Sequence, residues 1–115
     1  MLIRSIQSLT MQLAGHSSGP EPVLFAEAFT GEDFKGKWGF VEYVMVPPKS
    51  AIPVHKHEED EELYFIFEGS GLMTIDGQEH EVGAGDLAIC RLGSSHGLRN
   101  TSQQDIKLIV VGVPV

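Results

Sequence analysis

The feature that most constrains this chain is the recurrence of turn-forming residues at intervals too short for helices. After Gly39 they fall at Pro47-Pro48, Gly69-Ser70-Gly71, Asp76-Gly77, Gly83-Ala84-Gly85-Asp86 and Gly93-Ser94-Ser95. Between them run short segments rich in β-branched and aromatic residues: Phe40 to Val46, Leu63 to Phe67, Leu72 to Ile75, Leu87 to Leu92 and Ile106 to Val113. Further short strands are expected at Val54 to His57, Gln78 to Val82 and His96 to Asn100. Asp76-Gly77 has the composition of a two-residue hairpin turn that needs positive φ. Gly 13 and Pro 6 supply such turns throughout, and no convincing helical period competes with them. The expectation is an all-β sandwich or barrel.

Before Gly39 the pattern is weaker. Residues 1–14 read as an irregular arm or short strand, Gly15 to Pro20 as a loop, residues 22–29 as a strand, and Gly31 to Lys37 as a polar turn. A chain of 115 residues fits one domain, with an arm and edge strands over 1–38 and a barrel core over 39–113. Apolar residues are 42% of the chain, enough for a core and too many for disorder. The charge balance, 8 Lys+Arg against 16 Asp+Glu, gives −8, which repels phosphate backbones and anionic leaflets. Neither nucleic acid nor membrane is expected as a partner. No apolar run reaches the roughly 18–20 residues of a membrane span. The first eight residues are interrupted too often by polar side chains for a secretory core. The single Cys90 excludes an internal disulfide and a multi-cysteine zinc module, so a reducing, cytoplasmic setting is expected.

Histidine placement carries the chemistry. His55 and His57 are two apart on an expected strand, so their side chains share a face. Glu62 follows an acidic turn and opens the next strand, and His96 follows a glycine-containing turn. Three imidazoles and a carboxylate suit one divalent transition metal, with Fe, Mn, Ni, Zn, Cu and Co all compatible. Four protein ligands leave open positions on a six-coordinate ion.

The spacing His55-Lys56-His57, four residues, Glu62, six residues, Gly69 resembles the first conserved motif of the cupin superfamily. Gly85, five residues, Arg91-Leu92-Gly93, two residues, His96, three residues, Asn100 resembles the second. Fifteen residues lie between Gly69 and Gly85, as in small single-domain members. The resemblance covers about residues 39 to 113 and implies a jelly-roll barrel, a metal on His55, His57, Glu62 and His96, and a homodimer. The chain departs from the pattern twice: Lys49 stands for the leading glycine and Arg91 for the second motif's proline.

Alternation extends the candidate site. If Glu62 points inward, so does Tyr64, a candidate acid/base. Arg91 shares a strand face with Leu87 and Ile89, and if that face is interior it would anchor a substrate anion. Cys90, on the opposite face, reads as packed and not nucleophilic. His16, in a glycine- and serine-rich loop, and His80, beside a hairpin, read as non-ligands. The acidic run Glu58 to Glu62 reads as a solvated turn ending in a ligand. Leu63, Phe65 and Phe67 then face outward, an apolar patch to be covered by a second subunit or by the N-terminal arm. The expected function is a metal-dependent enzyme acting on a small organic molecule, by dioxygenase, decarboxylase, isomerase, lyase or cyclase-type chemistry. The alternative is a non-catalytic, metal-dependent ligand binder or sensor.

Overall fold

The computed structural model describes residues 1–115 as ten strands in two antiparallel sheets. In chain order they are β1 (Gln12–Leu13), β2 (Leu24–Thr30), β3 (Phe40–Val46), β4 (Ala51–Lys56) and β5 (Asp60–Glu68). They continue with β6 (Ser70–Ile75), β7 (Gln78–Gly83), β8 (Leu87–Cys90), β9 (Ser95–Arg99) and β10 (Ile106–Pro114). One sheet has the order β1-β2-β3-β10-β5-β8 and the other β4-β9-β6-β7. The two face each other as a jelly-roll barrel, the architecture expected from the strand spacing. No helix is long and apolar enough to cross a membrane.

Each sheet buries the alternate residues that the sequence makes apolar. From the larger sheet come Val44 and Val46, Tyr64 and Ile66, and Ile106, Leu108 and Val110; from the smaller come Ile52, Met73 and Leu98. Burying a side chain of this size contributes roughly 1.5–3 kcal/mol, so this layer between the sheets carries most of the driving force. The centre of the larger sheet is β10, paired with β3 on one side and β5 on the other.

Local chemistry sets the corners. Asp76 and Gly77 both have positive φ, 48° and 81°, and join β6 to β7 as the hairpin turn the dipeptide predicts. Lys49, which replaces a motif glycine, also has positive φ, 62°, so the turn keeps its left-handed geometry without glycine. Asn100 closes the opposite corner. Its side-chain amide donates to the carbonyls of Val46 and Gln104 at 2.9 and 2.6 Å, and its oxygen accepts from the Ser102 amide and hydroxyl.

Two sequence expectations are corrected here. The acidic run is not wholly a turn: Asp60, Glu61 and Glu62 already belong to β5, paired with Pro114, Val113 and Gly112. Pairing along a nine-residue β10 extends the strand into residues that composition alone assigns to a loop. The interior face of β8 is also the opposite of the one expected for Arg91. Glu62 pairs with Cys90 and Tyr64 with Ala88, so Ala88 and Cys90 face inward beside the inward residues of β5. Leu87 and Ile89 are 64% and 59% exposed, and Arg91 is exposed just beyond them.

Candidate metal centre

Four side chains from three strands and one connecting loop converge at one end of the barrel. His55 lies near the end of β4, His57 just beyond it, Glu62 near the start of β5 and His96 in β9. His55 and His96 are direct cross-strand partners, and a bulge between Ile52 and His55 maintains that pairing. Gly97 makes this approach feasible, because a Cβ there would sit 2.8 Å from the Val54 amide nitrogen. One ligand atom from each of the four residues lies within 4.8 Å of the others. His57 Nε2 is 2.9 Å from both His96 Nε2 and Glu62 Oε1, and His96 Nε2 is 3.1 Å from Glu62 Oε1. The three imidazole rings meet edge-to-face with centroids 4.8 Å apart.

The outer nitrogens explain how the inner ones are presented. His57 Nδ1 donates to Asp60 Oδ1 at 2.7 Å, and His55 Nδ1 donates to the Pro53 carbonyl at 2.9 Å. Donation from Nδ1 leaves Nε2 with its lone pair, which is the tautomer a metal takes. Burial lowers the His55 pKa, the Pro53 carbonyl raises it, and His96 and His57 lower it further. Burial therefore favours the neutral, ligating imidazole. Two such nitrogens, a third imidazole from His96 and the Glu62 carboxylate, all within 4.8 Å of one another, form a donor set that a divalent transition ion satisfies.

The cluster borders a cavity of about 210 Å³ lined by His55 and Glu62, by Tyr64, and by Glu42 from β3, which lies in the same sheet as Glu62 with β10 between them. Ala14, Gly15 and His16 also line it. Long-range hydrogen bonds tie that segment down. Ala14 N donates to the Val23 carbonyl, Val23 N donates to Ser17 Oγ, and Ser18 exchanges backbone bonds with Ala51 of β4. His16 stacks on His55 with 2° between the planes and centroids 5.2 Å apart, outside the four-ligand cluster.

The structure separates the remaining expected site residues. Tyr64 is buried, lies 4.6 Å from the His96 ring, and lines the cavity. Burial, then Glu62, Cys90 and Glu42, hold its pKa well above 10.0, so its phenol stays protonated and acts as a donor. Arg91 is not in the cavity wall, and the anchor role expected for it is withdrawn. Cys90 is buried, and burial first and Glu62 second push its thiol up to about 11.

Two residues that sequence reasoning passed over belong to the site. Asp60 orients His57, a relation hidden within an acidic run that reads as a solvated turn. Glu42 interrupts the inward face of β3, between Phe40 and Val44, and that lone carboxylate on an apolar face is a readable signal. Burial, then Glu62 and Glu27, raise its pKa from 4.5 to about 7.

The model of the Cupin domain family matches residues 42–112, more than half of the chain and all four converging residues. The chain belongs to the cupin family. This cupin is 28% identical over 111 residues to an oxalate-binding protein of Thermotoga maritima, covering 96% of this chain and 92% of that protein. It is 33% identical over 81 residues to an uncharacterised protein of Methanocaldococcus jannaschii, covering 70% and 65% of the two chains. Among solved structures it superposes on a predicted oxalate decarboxylase from Thermotoga maritima with a TM-score of 0.89, at 28% identity and with both chains fully covered.

Proposed function

We propose that this cupin is a metal-dependent enzyme whose substrate is a small organic molecule carrying oxygen donors. The observation that carries this reading is the convergence of His55, His57, Glu62 and His96, two of which, His55 and Glu62, line a cavity. Those four residues would hold one divalent transition metal, one of Fe, Mn, Ni, Zn, Cu or Co. When bound, such an ion supplies Lewis-acid polarisation of a coordinated oxygen. The chain's own residues supply the rest: apolar side chains form most of the walls, Tyr64 presents a phenol proton, and Ala14, Gly15 and His16 line the rim. At about 210 Å³ the cavity lies below the roughly 300–1,000 Å³ of drug-sized sites. A compact substrate fits it.

A second reading, binding without turnover, is favoured by the near full-length similarity to an oxalate-binding protein. Oxalate is accordingly the first compound to test. A binder gives ligand-dependent thermal stabilisation with no product, whereas an enzyme consumes the compound. The partner expected beyond the small molecule is a second copy of the chain, docked through the outward residues of β5 and β8. With one buried thiol and no disulfide, the chain suits a reducing cytoplasm.

The deciding experiment is elemental analysis of protein purified without chelator or histidine tag, then stripped and reconstituted. About one equivalent of metal in the wild type, lost in His57→Ala, is the expected result. Full metal occupancy in His57→Ala, or no binding after reconstitution, would remove the proposal.

A further inference from the structure

The cavity beside the four converging residues has an uneven charge inventory. It is lined by two carboxylates, Glu42 and Glu62, and by none of the chain's 8 lysines and arginines. Glu62 belongs to the metal-ligand set; Glu42 does not. Glu42 stands directly opposite Glu27 on the neighbouring strand, a like-charge cross-strand pair at the cavity edge. The other walls near Glu42 are apolar: Val44, Phe25 and Val110. Strand β10 separates Glu42 from the strand of Glu62, since Glu42 pairs with Val110 and Val110 with Tyr64, so a ligand reaching from the metal ligands across β10 meets one carboxyl group in an apolar surround. Above its pKa of about 7 this group is a carboxylate, which accepts hydrogen bonds and repels anions, and no lysine or arginine lines the cavity to offset that repulsion.

We propose that Glu42 is a specificity-determining residue, selecting ligands whose end remote from the metal carries a hydroxyl or N–H donor and rejecting those with a second carboxylate there. The proposal rests on reading the His55, His57, Glu62 and His96 cluster as a metal centre. It assigns the substrate class to monoanionic hydroxy acids and polyol-like compounds. It also assigns the charge filter to a residue on β3, which contributes none of the four ligands.

Glycerate and tartronate separate the two classes. Both offer a carboxylate and an adjacent hydroxyl for chelation, and they differ only in a distal hydroxymethyl group against a distal carboxylate. Calorimetric titration of the metal-loaded protein at about pH 8.5, where Glu42 is ionised, should give glycerate an affinity at least about tenfold above that of tartronate. In Glu42→Gln, where the charge is lost and shape is kept, that ratio should fall below about threefold, with metal content unchanged. Equal or tighter binding of tartronate by the wild type would overturn the proposal. So would an unchanged ratio in a folded, fully metallated Glu42→Gln, or no glycerate binding by fully metallated wild type. The wild-type ratio decides the matter even if that variant fails to fold, and Glu42→Asp, which withdraws the carboxylate by one methylene, should also lower the ratio. Elemental analysis reports separately on the metal reading, so its failure is distinguishable from failure of the filter.

Discussion

At the scale of single residues, the site depends on groups that touch no ligand atom of the cluster from the cavity side. Asp60 holds His57 by its Nδ1 proton, and such orienting carboxylates are typically worth 10–100-fold in metal affinity. Asp60→Ala should therefore weaken metal binding by about 10–100-fold while leaving the fold intact, as competition with a metallochromic chelator would measure. Unchanged affinity would mean that packing alone orients the ring. Glu42 makes a pH prediction. Its folded pKa, about 7, lies above its ordinary 4.5, so the folded state holds this proton more tightly than the unfolded chain does. The associated stability is present at acid pH and is lost as pH rises from about 4.5 through about 7. In metal-stripped protein, Glu42→Gln should gain melting temperature relative to the wild type between pH 5 and pH 7.5. A pH-independent difference between the two melting curves would contradict the assignment.

At the scale of elements, the ligands are positioned by corners as much as by strands. Asn100 is fully hydrogen-bonded and ties the end of β9 to the residue before Pro47, while its backbone pairs with Lys49 and Ser50. It thereby sets the relation of β9 to β4, the two strands that carry His96 and His55. Asn100→Ala would remove its side-chain bonds to the Val46 and Gln104 carbonyls and release the Ser102 turn. A loss of about 1–3 kcal/mol is expected in denaturant unfolding, the usual cost of leaving a buried polar group unpaired. A loss within experimental error would show that the corner is held by its backbone bonds alone. The asparagine is legible in the sequence as a motif member, but its four-way hydrogen bonding is not. Its partners lie up to 54 residues away, and no local pattern encodes such a contact.

At the scale of the whole molecule, one surface stands apart. On the outer face of β5 and β8, Leu63 pairs with Ile89 and Phe65 with Leu87, leaving Leu87 and Ile89 more than half exposed. The arm covers only the far end of this face, where Ile6, Leu9 and Met11 lie around Phe67, Tyr43 and Met45. An uncovered apolar row along an edge strand is the surface a second copy would bury. Light scattering should give twice the monomer mass, and Ile89→Asp should return the protein to a monomer with its metal content unchanged. A monomeric wild type would dispose of the dimer.

The strand spacing, the hairpin at Asp76-Gly77 and the four-ligand motif are legible in the amino-acid sequence, because each is written in local periodicity and turn chemistry. Even the outward direction of Leu63 and Phe65 follows from alternation relative to Glu62. Arg91 shows where that reasoning stops. Alternation says which residues share a face, but only pairing to a neighbouring strand says which face is interior. The register of β8 against β5 turns Cys90 inward and Arg91 out. The placement of Ala14 to His16 along the cavity is likewise decided by long-range bonds from Ala14, Ser17 and Ser18 to Val23 and Ala51. What adjacent residues dictate to one another lies in the sequence. Which distant residues share one cavity is decided by tertiary pairing, since those contacts exist only after the sheets have closed on each other.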